Sequence, residues 1–316
     1  MSCKTLELRL RELVSQVKIP LPGSGRTAQR HRLLAETARE DISLAKIAEA
    51  HWDALAILAE AGRSAKEGEV YAVWASEVPA SPLRLTRADD GHVLNGRKPF
   101  CSGIGLADRA LITVGDPEQL LVEVDLRVNQ PYLEGDLTIW QTDAFRNTQT
   151  GSVTFSGVRV DADAKVGGPA WYLERPGFWH GACGPAACWA GGVAGLVDFA
   201  LASKRDDAHT LAHLGAMEAN VWALLSLLNT AGDEIDASPT DRISAERRAL
   251  QLRHMVEQSG SDILRRFSRA YGPQPLSMNE SVSRRFQEAD LFMRQSHGER
   301  DLESLGRLVR KGANNR

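Results

Sequence analysis

The hydrophobic period of this chain changes twice, and no other feature of the sequence limits its fold as strongly. Between Asp41 and Gly62 apolar residues fall at Leu44, Ile47, Ala48, Leu55 and Leu58, the spacing of one helix face. Asp41 suits the N-cap of that helix and Gly62 its stop. The stretch from Ile19 to Thr27, with two prolines and two glycines, reads as a loop. From Tyr71 to about Val166 the texture becomes short β-branched or aromatic runs: YAVWAS, LRLTRA, HVLNGRKPF, RALITV, QLLVEVDL, LTIW and SVTFSGVRV. Asp89-Asp90-Gly91 and Asn95-Gly96 are turn signals between them, because glycine takes the positive φ of tight turns without strain.

Helical spacing returns after Pro169. Leu211, Leu214, Val221, Leu225 and Leu228 mark one helix, and Val256, Ile263, Leu264 and Phe267 a second. Phe286, Ala289, Met293, Leu302, Leu305 and Val309 mark a third, and a Gly/Ala-rich helix after Pro185 supplies a fourth, enough for an antiparallel bundle. The expected segments are therefore a helical part over 1–68, a β-domain over 69–168 and a helical bundle over 169–316.

Composition narrows the function classes. In 316 residues, 38 Lys+Arg against 41 Asp+Glu leave a net charge of −3, which argues against a sequence-independent nucleic-acid surface. Hydrophobic residues at 43% and charged residues at 25% exclude disordered and fibrous classes. Cys3, Cys101, Cys183 and Cys188 include no CxxC pair, so a reducing, cytoplasmic setting is expected. Charges interrupt MSCKTLELRLREL throughout, unlike a secretory signal. Gly177 to Ala202 is long enough to span a bilayer, but His180, Pro185 and Asp198 favour a buried helix, and no membrane partner is expected.

The glycines at 177, 181, 184, 191, 192 and 195 follow no βαβ strand, so close helix packing explains them better than phosphate binding. Cys183 and Cys188 read as buried small apolar residues. His209 and His213 share a helix face at i, i+4 but lack a third ligand, so no metal site is expected. Arginines from Arg284 to Arg310 interleave with acids as a solvated, salt-linked helix face does.

The run WASEVPASPLRLTRADDGHVLNGRKPFCSGIGLADRALITV resembles the middle domain of acyl-CoA dehydrogenases, with its LNG-x-K, aromatic and Ala-Asp signatures in order. FRNTQTGSVTFSGVRVDADAKVG resembles the segment of that family that follows. The likeness covers roughly residues 41–311 and is strongest between Val73 and Gly167. It implies an α+β multidomain fold with a short N-terminal helical part, a central β-barrel-like domain and a C-terminal four-helix bundle. It further implies bound FAD, a small-molecule or acyl-CoA-like substrate, and a homodimer or homotetramer. Ser76 and Ser102 fall where the family places hydroxyls against the flavin ring, and Phe100 where an aromatic packs beside it. Three departures matter: Ser81-Pro82-Leu83 replaces the family's Gly-Ser-Asp, the N-terminal helical part is short, and the segments that hold the flavin pyrophosphate are not recognisable.

The family's catalytic glutamate is also replaced, since His297-Gly298 falls on its Glu-Gly. On a continuous helix His297 shares the inward stripe of Met293, with Asp301 one turn on to orient the imidazole. The spacing of Arg294, His297 and Asp301 looks more like the dibenzothiophene monooxygenase branch of the superfamily, in which reduced flavin meets oxygen and a histidine assists proton transfer. The expected activity is flavin-dependent α,β-dehydrogenation of an acyl thioester, with a flavin-dependent monooxygenase or a non-catalytic scaffold as alternatives.

Overall fold

The computed structural model describes residues 3–76, 83–88, 91–115 and 119–314. In chain order it begins with helices α1 (Cys3–Gln16), α2 (Thr27–Glu40) and α3 (Ile42–Glu60). The strands follow: β1 (Tyr71–Trp74), β2 (Arg84–Ala88), β3 (Gly91–Cys101), β4 (Arg109–Val114), β5 (Leu120–Asp125), β6 (Leu133–Asp136) and β7 (Gly151–Val160). Then come α4 (Trp171–Glu174), α5 (Pro176–Ala202), α6 (Ala208–Ala237), α7 (Arg242–Tyr271), α8 (Pro273–Met278), α9 (Glu280–Met293) and α10 (Glu299–Asn314). Residues Met1–Lys18 and Ile47–Phe178 make one compact unit, and Ile19–Lys46 and Trp179–Arg316 a second.

In the first unit the strands form two sheets, β1-β4-β5 and β2-β3-β7-β6, packed about one core. Side-chain alternation explains why RALITV reads as a continuous apolar run. Ala110, Ile112 and Val114 of β4 enter the core between the sheets, while Leu111 enters a second core with Leu58 of α3 and Tyr172 of α4. A sheet covered on both faces needs apolar side chains at every position. Arg11 on α1 reaches Asp108 with two hydrogen bonds of 3.0 and 3.2 Å.

Two strand-level expectations change. Asn95-Gly96 is not a turn but lies within β3, opposite a bulge where Gly157 on β7 takes φ 78. The Asn95 side-chain oxygen accepts the Gly157 N–H at 2.8 Å, satisfying a donor near the irregular register. LTIW is not a strand either: Asp136 Oδ1 accepts the N–H and hydroxyl of Thr138, turning the chain just after β6. Asp89, Asp90, Ser81 and Pro82 lie outside the described residues, although Ala88 and Gly91 face each other in the β2–β3 hairpin.

In the second unit Asp41 caps α3 as expected, its Oδ1 accepting the Leu44 N–H at 3.0 Å. The glycines act through packing. A Cβ on Gly191 would lie 1.9 Å from the Ala35 carbonyl oxygen, and one on Gly232 would lie 2.4 Å from the Ala28 nitrogen, so α5 and α6 approach α2 backbone to backbone. Cys183 and Cys188 are buried, and burial pushes the Cys183 thiol up to about 12. Both α5 and α6 are long and apolar enough to cross a membrane, and 67% of the most apolar stretch of α5 is buried. The periodic stretch ending at Val309 is two helices rather than one, since α9 ends at Met293 and Gly298, at φ 55, precedes α10.

Each unit holds a buried histidine whose proton affinity is strongly lowered, His31 in the second and His51 in the first. His31 donates from Nδ1 to the Leu228 carbonyl at 2.9 Å, and His51 Nδ1 accepts the Tyr71 N–H at 3.1 Å. Burial lowers both to about 4. A depressed histidine is neutral in the fold and takes up a proton when unfolded, so stability falls as pH drops from about 6.5 to about 4 and levels off below. Urea titrations at pH 7 and pH 5 are expected to differ by about 2 kcal/mol for each histidine. Equal midpoints at the two pH values would contradict this.

Candidate functional site

The chemistry of the first unit gathers where β3 ends. Pro99 has no N–H to give the ladder, and the register passes from Lys98 opposite Val153 to Cys101 opposite Gly151. This bulge turns Phe100 outward at φ 54 with 62% of its surface exposed, while Lys98 and Cys101 point inward. The Lys98 ammonium donates to the Thr113 carbonyl at 2.6 Å and hydroxyl at 2.7 Å. Burial raises the Cys101 thiol to about 12, which leaves it inert as a nucleophile.

Ser102 follows, and its carbonyl accepts the Trp74 indole N–H at 2.9 Å. Its hydroxyl joins a chain in which Ser102 Oγ meets Thr150 Oγ1 at 2.9 Å and Thr150 Oγ1 meets Thr148 Oγ1 at 2.8 Å. Thr148 Oγ1 donates at 2.8 Å to the Phe145 carbonyl, which sets the direction of the relay. Each hydroxyl has one hydrogen, so Thr150 donates to Thr148 and Ser102 donates to Thr150. Ser102 Oγ thereby donates into the relay.

Backbone strain marks the same place. Among the described residues the non-glycines at positive φ are Phe100, Phe145, Gln149 and Ala170, and the first three flank this relay. Ser76, two residues past β1, is exposed. The structure thus brings Phe100 and Ser102 together and adds Thr148, Thr150 and Trp74, which the sequence reading passed over. The TQTG run before a strand was the available signal.

The second unit places His297 in the break between α9 and α10, not on a helix. Its side chain is 64% exposed, whereas Met293 is fully buried, so the two do not share an inward stripe. Its pairing with Asp301 is present: Nδ1 donates to Asp301 Oδ1 at 3.2 Å, and the backbone N–H donates to Oδ2 at 3.3 Å. With Nδ1 protonated, Nε2 of the neutral ring is the basic nitrogen.

Arg294 is held elsewhere, 3.1 Å from Glu257 and bonded to Ser261. The guanidinium behind Asp301 belongs instead to Arg253, 3.9 Å away and mostly buried. Arg253 donates to the Ala182 and Gln295 carbonyls and lies 4.7 Å over the Trp189 ring, tying the α9–α10 break to α5. Arginine on the inward stripe of α7, beside Leu252 and Val256, was its sequence signal.

A polar cavity of about 270 Å³ in the second unit is a structural clamp: Arg285 donates to the Ala38 and Glu40 carbonyls at the end of α2, and Ser43 to buried Glu288. Among the described residues no three His, Cys, Asp or Glu side chains stand together as a metal site.

No protein-family model matches the chain, and no curated protein matches it in sequence. Solved structures do. KijD3 in complex with FMN and dTDP-3-amino-2,3,6-trideoxy-4-keto-3-methyl-D-glucose is similar with a TM-score of 0.82 at 15% identity, over 98% of this chain and 86% of that one. FMN-bound TdsC of Paenibacillus sp. A11-2, a dibenzothiophene monooxygenase, gives 0.77 at 18% identity over 99% and 96%. The nitrososynthase of Micromonospora carbonacea var. africana gives 0.73 at 16% identity over 89% and 80%. At these identities the likeness establishes the fold, which is acyl-CoA dehydrogenase-like.

Proposed function

We propose that this chain is a flavin-dependent oxidoreductase, and that within that class it works as a monooxygenase on a small organic substrate with His297 as its acid–base group. The observation that carries the reading is the His297–Asp301–Arg253 arrangement, which orients an imidazole and keeps Nε2 for proton transfer. The neighbours named as a dibenzothiophene monooxygenase and a nitrososynthase support oxygenation over dehydrogenation.

The β-domain residues fit a flavin. Phe100 offers an exposed aromatic face, and Ser102 brings a hydroxyl to the same strand end, groups that would hold a flavin ring. Ser76 is assigned to the same wall. A bound flavin would supply the electron chemistry, and this chain would supply orientation and the proton. FMN is preferred over the FAD expected from sequence, because the neighbours KijD3 and TdsC hold FMN and no pyrophosphate-holding segment is recognisable here. Assembly as a homodimer or homotetramer belongs to the same proposal.

The test is the visible absorbance spectrum of the protein after incubation with FMN or FAD and desalting. Retained FMN is expected, followed by oxygen-dependent product formation with an aromatic heterocycle such as indole when reduced FMN is supplied. Acyl-CoA thioesters with an electron-accepting dye are the opposing arm. No retained flavin at high concentration of either form would overturn the reading.

A further inference from the structure

Helix α1 is joined to the rest of its unit by side chains rather than by adjacent backbone. Met1–Lys18 belong to the first unit, Ile19–Lys46 to the second, and the first unit resumes at Ile47. A helix of fourteen residues is marginal by itself in water, so its docking decides whether it persists. Leu6 and Leu10 are fully buried, whereas Leu8 on the other side is 71% exposed. Arg11 completes the anchorage, reaching 97 residues along the chain to grip both carboxylate oxygens of Asp108 at 3.0 and 3.2 Å.

What α1 docks on is the support of the hydroxyl relay. Ser102 and Asp108 stand at the two ends of a tight loop in which the Leu106 and Ala107 N–H groups both donate to the Gly103 carbonyl at 3.0 Å. α1 also packs against the 3-10 turn Arg146–Thr148, whose Thr148 belongs to the relay. The Gly103 N–H donates to the Thr148 carbonyl at 2.8 Å and the Ile104 N–H to that of Gln149 at 3.1 Å, which joins the loop to the turn. Phe145 and Gln149, at φ 60 and 47, bound that turn, and backbone strained in this way persists only where its surroundings hold it.

The latch can open without stranding a charge. Asp108 is 4% exposed and also accepts the Val70 N–H at 2.7 Å. Exposed Arg127, which pairs with Glu69, stands 3.7 Å from the other Asp108 oxygen. With Arg11 withdrawn the buried carboxylate keeps a donor and a cation, so most of the penalty of an unpaired buried charge is avoided.

We infer that α1 is a strap: docked through Arg11 and Asp108, it holds the Phe145–Gln149 turn and the Ser102 relay in shape, and the flavin wall is complete only while the strap is down. The flavin part rests on the proposed function, whereas the strap stands on the fold alone. A ligand of that wall favours the docked state by the same factor by which docking favours the ligand.

Hydrogen–deuterium exchange of the full-length Arg11→Met protein tests the strap without any cofactor. Exchange at Gly103, Ile104 and Thr148 is expected to quicken about 10-fold, while Ile112 in β4 and Val122 in β5 keep the wild-type rate. Arg11→Lys restores the charge but not the two-pronged grip and is expected to fall between. FMN affinity is expected to weaken about 10-fold in Arg11→Met and to stay unchanged in Leu8→Ser on the exposed side of α1. Faster exchange confined to α1 would overturn the strap. So would faster exchange spread through β4 and β5, which would make α1 an ordinary part of the core. Quickened exchange at the turn with wild-type FMN affinity would overturn the link to the flavin wall. A wild type that retains no flavin would overturn that link together with the proposed function, and the exchange rates would still decide the strap.

Discussion

The His297→Ala variant is expected to retain flavin, melt like the wild type and lose turnover by about 10²- to 10⁴-fold, the range carried by a positioned acid–base group. The structural half of this follows from exposure: a side chain 64% exposed, outside any helix, contributes little to stability, so the fold is not the cause of the loss. The chemical half follows from Asp301, which accepts from Nδ1 and leaves Nε2 as the nitrogen that the proposed acid–base role would use. Asp301→Asn keeps a partner of similar shape but removes the charge from a carboxylate that Arg253 faces at 3.9 Å, so a smaller fall in kcat is expected with KM little changed. Full turnover by His297→Ala would remove His297 from the proposed mechanism while leaving the proposed flavin site to its own spectroscopic test.

How far the sequence carried this reading depended on whether a signal was local. The β-domain was legible because β-branched and aromatic runs are local signals; that RALITV is covered on both faces emerges only once α3 and α4 are packed against it. Asn95-Gly96 misled because the turn preference of Asn-Gly says nothing about a partner strand, and here the Asn95 side chain serves Gly157 across the sheet. LTIW had strand composition, yet the nearby Asp136 side chain captured Thr138 and ended the strand. His297 was placed on a helix although Gly298 beside it signalled a break. With the break in place the histidine is exposed, but Asp301 in the first turn of α10 still reaches it. Arg253 and the Ser102–Thr150–Thr148 relay lay beyond reach because their partners are distant in sequence, and the interactions exist only once the strands and helices are registered.

Gly191→Ala is expected to destabilise the protein by about 3 kcal/mol, although alanine is the better helix former by about 1 kcal/mol. The added Cβ would sit 1.9 Å from the Ala35 oxygen and 2.8 Å from the Ala35 Cα, and backbone cannot swing aside as a side-chain tip can. Gly195, one turn along, admits the Arg285 guanidinium and approaches the Arg39 carbonyl at 2.9 Å from its own would-be Cβ, so α5 cannot slide to relieve the clash without meeting the next obstacle. Gly232 on α6 meets α2 in the same way at Ala28. Gly306→Ala on α10, where a Cβ meets nothing within 4 Å, is expected to raise stability by about 0.5–1 kcal/mol. The opposite signs of one chemical change separate packing from helix propensity, and thermal midpoints that moved the same way for both variants would show that α2 and α5 do not meet through glycine as described.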